Sequence, residues 1–170
     1  FYMTPIHDFW KETHEKLVAE QDIDNFKNWI SVRNIPLYSD FEYVEDYKLE
    51  VEMLISENEN KDKWELVYEE PFFGHSKESY NKAIIQLESG RKTTAFRLKS
   101  MHHLLTFEER RGKFLEDYKY IIEFGAGIGE TAHTVLDLGW DGQYHIIDLP
   151  AVATISQAYL KGHKNVHWHY

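Results

Sequence analysis

The stretch IIEFGAGIGE, residues 121–130, sets three glycines at alternate positions directly after an apolar run. From residue 118 onward, five short segments follow one another with brief connections: YKYIIEF, ETAHTVLDLG, QYHIIDL, PAVATISQAYLKG and NVHWHY. The first, third and fifth are rich in β-branched and aromatic residues, whereas the other two have a helical pattern. Strands that alternate with helices in this way are typical of right-handed crossover units on a parallel sheet. Residues 118–170 are therefore predicted to form an α/β region.

The preceding residues, 1–117, have a mainly helical pattern. Apolar residues recur at spacings of three and four in TPIHDFWKETHEKLVAEQ, DIDNFKNWISV, FEYVEDYKLEVEMLISE, KESYNKAIIQLES and KTTAFRLKSMHHLLTFEERR. Gly90 is expected to stop the fourth of these helices, Thr93 or Thr94 to cap the fifth, and Gly112 to end it. We therefore expect a helical N-terminal lobe over residues 1–117 and the start of a sheet-based domain over residues 118–170.

Composition narrows the class of protein. The chain is 42% hydrophobic and 15% aromatic, which is enough apolar material for a compact core, and it has no cysteine for disulfides or thiolate chemistry. No apolar run approaches the ~20 residues of a membrane-spanning helix. The formal net charge of −10 opposes general binding to nucleic acid. The composition predicts a soluble, cytoplasmic protein that neither spans a membrane nor binds nucleic acid.

The glycines predict a ligand pocket between the first strand and the first helix of residues 118–170. Gly125, Gly127 and Gly129 allow the backbone to turn sharply and to approach a ligand with no Cβ in the way. Asp148 ends the next strand, 21 residues after Gly127, where a carboxylate accepts hydrogen bonds from ribose hydroxyls. We expect both features at the carboxyl edge of the sheet, as a nucleotide pocket. A purely structural glycine turn is the less favoured interpretation.

The position of one acid decides between nucleotides. The dinucleotide pattern G-x-G-x-x-G would require glycine where Glu130 stands, and the glycine suited to helix packing comes one residue early, at Gly129. Glu123 lies at the mouth of the turn, where its carboxylate opposes a pyrophosphate on the helix N-terminus. S-adenosylmethionine has no phosphate and carries a sulfonium and an ammonium group. The sequence therefore favours S-adenosylmethionine as the cofactor.

EFGAGIG and HIIDLP resemble the first two motifs of the class I S-adenosylmethionine-dependent methyltransferases, which are E/D-x-G-x-G-x-G and an acid at the end of the following strand. IIDLPAVATISQAYL, WELVYEEPFFG and the Trp- and Tyr-rich helices are also similar to sugar O-methyltransferases of bacterial surface-polysaccharide gene clusters. The resemblance implies a Rossmann-like methyltransferase fold, incomplete here because that family has seven strands and this chain supplies three. Since the chain also opens on Phe1 and stops within a predicted strand, we expect it to be a fragment of a longer enzyme.

The resemblance also implies the cofactor-binding residues. Glu123 would contact the methionine end directly or through water, Asp148 would hold the ribose, and Leu149 would flank the adenine. The backbone of the turn would line the cofactor at Gly125, Ala126, Gly127 and Gly129. The acceptor would be a small molecule, and the narrower resemblance makes it a sugar hydroxyl.

Candidates for catalysis are less distinctive. Methyl transfer is an in-line displacement, so alignment and removal of the hydroxyl proton matter most. His102 or His103 is a candidate general base, and Arg97 is a candidate for orienting a negatively charged acceptor. The alternative is that the two histidines are ordinary helix residues. His163, His167 and His169 have ligand-like spacing, but no carboxylate or cysteine accompanies them, and no metal site is predicted.

Two other functions fit the same residues. A nicotinamide-dependent oxidoreductase is an alternative, because Asp148 would serve either cofactor. A non-catalytic binding or assembly module is another, should the chain be complete, since the first strand then lacks a neighbour on one edge. A homodimer would cover that edge.

Overall fold

A computed structural model describes residues 44–68, 84–87 and 90–170. The predicted helices before residue 41 and the predicted loop PFFGHS lie outside these residues. Two helices begin the described part: α1 (Val44–Glu57) and the short α2 (Lys61–Leu66). The helix predicted in FEYVEDYKLEVEMLISE corresponds to α1, whereas α2 was not predicted.

The helix predicted in KESYNKAIIQLES is wrong over its described residues. Strand β1 (Ile84–Gln86) pairs antiparallel with β2 (Lys92–Thr94), so that Ile84 lies opposite Thr94. The two β-branched isoleucines suit a strand, and their cross-strand partners outweigh the local helical spacing. Gly90, with φ of +81°, belongs to the connection between the two strands and does not end a helix.

Helix α3 (Ala95–Arg111) follows β2 and has the caps that the sequence predicts. Oγ1 of Thr94 accepts a hydrogen bond from the backbone N–H of Arg97, at 3.3 Å. Gly112 ends the helix in the left-handed conformation, with φ of +59°, and its N–H donates to the carbonyl of Glu108. A single 3₁₀ turn, Leu115–Asp117, then leads into the sheet.

The sheet consists of three parallel strands joined by two helices. The order along the chain is β3 (Tyr120–Phe124), α4 (Glu130–Asp137), β4 (Gln143–Ile147), α5 (Pro150–Tyr159) and β5 (Val166–His169). The spatial order is β3-β4-β5, with Ile121 opposite Tyr144 and Tyr144 opposite Val166. The described residues therefore have a mixed α/β fold with a small parallel sheet, which confirms the predicted class at this level.

One hydrophobic core joins the helical region to the sheet. α3 packs against both α1 and α4, and the buried residues form one continuous cluster across residue 118. The sheet contributes its inner face to this cluster. Its outer face has exposed Tyr120, Ile122 and Phe124, the last with 76% of its surface accessible. The principal core side chains are Val51, Ile55, Trp64, Leu98, Met101, Leu105, Ala132, Val135, Trp140, Tyr144, Ile146, Leu160 and Val166.

None of the helices within the described ranges is long and apolar enough to span a membrane.

Candidate functional site

The glycine turn connects β3 to α4 and has a left-handed backbone at each glycine. The φ angles are +71° at Gly125, +59° at Gly127 and +90° at Gly129, a region that side-chain-bearing residues rarely adopt. Every one of these glycines donates its N–H within the protein: Gly125 to the carbonyl of Ile147 at 2.9 Å, Gly127 to the carboxylate of Asp148 at 3.0 Å, and Gly129 to the carbonyl of Ala126 at 2.9 Å. The turn is therefore held in shape by its own hydrogen bonds.

The two ends of the turn have different surroundings. A Cβ at Gly129 would lie 3.0 Å from Cδ1 of Leu160 and 3.2 Å from Cβ of Ser156, so this glycine lets α4 approach the end of α5 closely. A Cβ at Gly125 or Gly127 would meet no atom within 4 Å. The first part of the turn is thus open, and the last part is packed.

Glu123 lies near the end of β3 with its side chain on the inner face of the sheet. Its Oε2 accepts a hydrogen bond from the hydroxyl of Tyr144, at 2.9 Å, and the side chain of Thr131 on α4 also bonds to it. Burial raises the pKa of Glu123 above its ordinary value, the two hydroxyl donors counteract this, and the charge of Asp148 adds to the rise. Within the described ranges, no Lys, Arg or His side chain forms an ion pair with Glu123.

Asp148 follows β4 and lies beside the turn because neighbouring parallel strands end at the same edge. Its Oδ2 accepts from the N–H of Gly127, and its Oδ1 accepts from the N–H of Leu149 at 2.7 Å. A carboxylate oxygen has two lone pairs, so each oxygen retains one for a further donor. Leu149 is the residue before α5 and is partly buried. The structure thus brings the predicted residues Glu123, Asp148 and Leu149 and the glycine turn to one edge of the sheet.

Arg97 belongs to a buried charge network on the other side of α4. Its side chain is fully buried. Nε lies 2.5 Å from Oε1 of Glu130, and Nη1 lies 2.9 Å from Oδ2 of Asp137. Nη2 lies 2.9 Å from Nδ1 of His133, which accepts this hydrogen bond when the ring is neutral, since a guanidinium only donates. The hydroxyl of Tyr159 donates to the remaining oxygen of Glu130, at 2.6 Å.

The network has an electrostatic and a structural consequence. Burial opposes the charged form of Arg97, yet the carboxylates of Glu130 and Asp137 outweigh it and raise the pKa of the guanidinium. Arg97 also donates to the carbonyl of Val67, so it links the helical region to α4. No part of this guanidinium is accessible to an acceptor. Arg97 therefore contributes to the fold. Its guanidinium is not exposed to an acceptor, and its role in orienting one stays a prediction.

The candidate bases His102 and His103 lie in the middle of α3. Nε2 of His102 lies 2.5 Å from the carboxylate of Glu50 on α1, and its ring contacts Tyr47 of the same helix, with 4.7 Å between ring centroids. His103 is exposed; partial burial of its ring and the nearby charges of Lys99 and His102 lower its pKa. The contacts of His102 are thus with α1 rather than with the glycine turn.

The strand histidines lie on the outer face of the sheet. His145 contacts His167 and His169, with ring centroids 5.0 and 5.2 Å apart, and Nδ1 of His145 lies 2.9 Å from Nε2 of His169. Partial desolvation and these two neighbours lower the pKa of His145. In the part of the chain that the structure describes, no three His, Cys, Asp or Glu side chains are arranged to hold a metal ion.

Two residues of this region lie outside the motifs that the sequence contains. Tyr144 contacts Glu123, and only the period-two pattern of QYHII indicates that its side chain shares the inner face of the sheet. Glu130 departs from the dinucleotide pattern in the sequence, and in the structure its carboxylate pairs with Arg97. Neither the burial of Glu130 nor its pairing with Arg97 has a signal in the sequence.

No match to this chain was found among protein-family models, curated proteins or solved structures.

Proposed function

We propose that this chain binds S-adenosylmethionine at the glycine turn and belongs to an O-methyltransferase with a Rossmann-like domain. The observation that carries the proposal is the carboxylate of Glu123, which lies beside the open part of the turn and, among the described residues, is held by neutral hydroxyl donors and by no cation. A partly buried carboxylate that forms no ion pair attracts a positively charged ligand group. The sulfonium and ammonium of S-adenosylmethionine are such groups.

The open space beside the first part of the turn also supports the proposal. Open space beside Gly125 and Gly127 leaves room for a ligand to contact the backbone. Asp148 keeps one lone pair on each oxygen for the two ribose hydroxyls, and Leu149 follows directly as an apolar neighbour for the adenine. Ala126, partly buried, adds a small side chain between the two open glycines.

The hydrogen bonds of the turn favour this cofactor over a dinucleotide. A pyrophosphate on such a turn needs free backbone N–H groups. Here the N–H groups of all three glycines already donate to oxygen atoms of the protein. In addition, the carboxylate of Glu123 at the mouth of the turn opposes a pyrophosphate, so a nicotinamide dinucleotide is the weaker candidate.

The described residues would contribute binding and orientation to the reaction. When bound, S-adenosylmethionine supplies an electrophilic methyl group on its sulfonium. Glu123 would fix the methionine end and Asp148 the ribose, which together limit the directions from which an acceptor hydroxyl can approach. The narrower resemblance, to sugar O-methyltransferases, implies a sugar hydroxyl as that acceptor. The residue that removes the hydroxyl proton is not assigned among the described residues.

Isothermal titration calorimetry with S-adenosylhomocysteine and with NADH tests the proposal. We expect binding of S-adenosylhomocysteine, which keeps the ammonium, ribose and adenine, and no heat with NADH. The variant Glu123→Gln keeps the shape and removes the charge, so its affinity for S-adenosylhomocysteine should fall about 10-fold or more.

The matched control is Glu116→Gln, which removes an exposed carboxylate on the 3₁₀ turn before β3. Its affinity should equal that of the wild type. Heat with NADH alone would replace this proposal by the oxidoreductase. Binding of neither ligand would favour a non-catalytic module, and equal affinity of the Glu123→Gln variant would remove the role given to the charge.

A further inference from the structure

We propose that Tyr144 is a positioning residue of the cofactor site, whose hydroxyl orients the carboxylate of Glu123 and keeps it ionised for a cationic ligand. This inference rests on the proposed function and assigns a role to a residue that the glycine motif does not include.

The position of Tyr144 follows from the register of the sheet. Tyr144 on β4 lies opposite Ile121, two residues before Glu123 on β3, so the two side chains are diagonal neighbours on the inner face. The tyrosine is 1% exposed, and its ring packs edge-on against Trp140 with 6.1 Å between centroids. The ring is therefore fixed, and its hydroxyl reaches Oε2 of Glu123 at 2.9 Å.

Tyr144 can act only as a hydrogen-bond donor to this carboxylate. Burial, followed by the negative charge of Glu123, raises the pKa of Tyr144 far above the ordinary range. The phenol thus stays protonated, and its proton points at Oε2. Thr131 approaches the same carboxylate from α4. Two neutral donors hold the carboxylate in place without cancelling its charge, which leaves that charge available to a ligand.

The hydroxyl also determines how readily Glu123 takes up a proton. Burial and the charge of Asp148 favour the protonated form, and the hydroxyls of Tyr144 and Thr131 favour the ionised form. These are the groups that face Glu123 within the described ranges. Loss of the Tyr144 hydroxyl removes one stabilising donor. The carboxylate would then take up its proton at a higher pH, and a cationic ligand would lose its partner there.

The variant Tyr144→Phe removes this single oxygen and keeps the ring. Titration calorimetry with S-adenosylhomocysteine should show affinity reduced about 10-fold at pH 7, the typical effect of a lost hydrogen bond to a charged group. As the pH is lowered, affinity should begin to fall at a higher pH than in the wild type. A merely structural role for the ring would lower affinity equally at every pH.

Tyr120→Phe is the matched control, because Tyr120 lies on β3 but on the exposed outer face of the same sheet. Its affinity and pH profile should equal those of the wild type. A Tyr144→Phe variant with wild-type affinity and pH profile would overturn this inference and leave the proposed function intact. Failure of the wild type to bind S-adenosylhomocysteine would overturn both.

A measurement on the wild type covers the case in which Tyr144→Phe does not fold. The titration of the Glu123 carboxyl carbon, followed by ¹³C NMR, should coincide with the pH range in which the affinity for S-adenosylhomocysteine falls. An affinity that stays constant through that titration would overturn the inference without any variant.

Discussion

Two groups of carboxylates lie around the glycine turn and helix α4, and they have different kinds of partner. Glu130 and Asp137 surround the guanidinium of Arg97, so opposite charges meet inside the protein. Within the part of the chain that the structure describes, the partners of Glu123 are the hydroxyls of Tyr144 and Thr131. A buried charge with an internal counter-ion contributes to the fold, whereas one held by neutral donors alone is suited to an external counter-ion. Burial by itself therefore does not separate structural from functional acids; the partner does.

The largest expected effect on stability comes from removing the guanidinium of Arg97, which pairs with Glu130 and Asp137. Arg97→Met should lower the free energy of unfolding by about 3–5 kcal/mol, because it leaves the carboxylates of Glu130 and Asp137 without their counter-ion. Urea denaturation followed by tryptophan fluorescence measures this, since Trp64 and Trp140 lie in the core. The control Arg110→Met, on the exposed face of the same helix, should change stability by about 0.5 kcal/mol. A loss below about 1 kcal/mol at Arg97 would contradict the structural role.

The two ends of the glycine turn provide a second test, of intermediate size. Gly129→Ala combines a positive φ with a Cβ only 3.0 Å from Leu160, and it should cost about 3 kcal/mol of stability. Gly127→Ala also places a side chain at a positive φ, but its Cβ would meet no atom within 4 Å, so it should cost about 1 kcal/mol of stability. The methyl group added by Gly127→Ala would occupy the proposed ligand space, so this variant should also weaken the binding of S-adenosylhomocysteine. Equal stability losses in urea denaturation would contradict the difference between the packed and open ends.

The smallest change in stability is expected at Glu123. Glu123→Gln should alter the free energy of unfolding by less than about 1 kcal/mol at pH 7, in the direction of higher stability, because the amide keeps an acceptor for Tyr144 without the cost of burying a charge. Since burial raises the pKa of Glu123, the folded wild type binds its proton more tightly than the unfolded chain does. The advantage of the variant should therefore be complete above this raised pKa and shrink as the pH falls towards the ordinary carboxyl range.

Urea denaturation at several pH values measures that difference. A Glu123→Gln variant that is less stable than the wild type at pH 7 would show that the carboxylate is a structural acid like Glu130, and the contrast between the two groups would disappear.

The sequence predicts the sheet-based region better than the helical one, for a physical reason. Strand alternation and the glycine turn depend on residues close together in the chain, as do the correctly predicted helix caps at Thr94 and Gly112 in the helical region. The position of Asp148 beside Gly127 also follows, because parallel strands that are adjacent end at the same edge.

Features that depend on distant partners were not predictable in this way. Ile84 and Ile85 lie in a segment with a helical pattern, but they pair with β2 and form a strand. Arg97 resembles an exposed helix cation until α4 supplies its two acids. Tyr144 reads as an ordinary core residue, because its contact with Glu123 depends on the register between two strands.

The hydrogen bond between Asp148 and Gly127 couples recognition to architecture. The carboxylate proposed to bind the ribose also accepts a hydrogen bond from the backbone of the turn. One substitution of Asp148 would therefore alter both the ribose contact and the shape of the turn. A change of nucleotide preference, by design or by natural drift, would have to replace both the proposed ribose contact of Asp148 and its hydrogen bond to the Gly127 N–H. A second change that supplies a new acceptor to the Gly127 amide would be needed to make such a transition accessible.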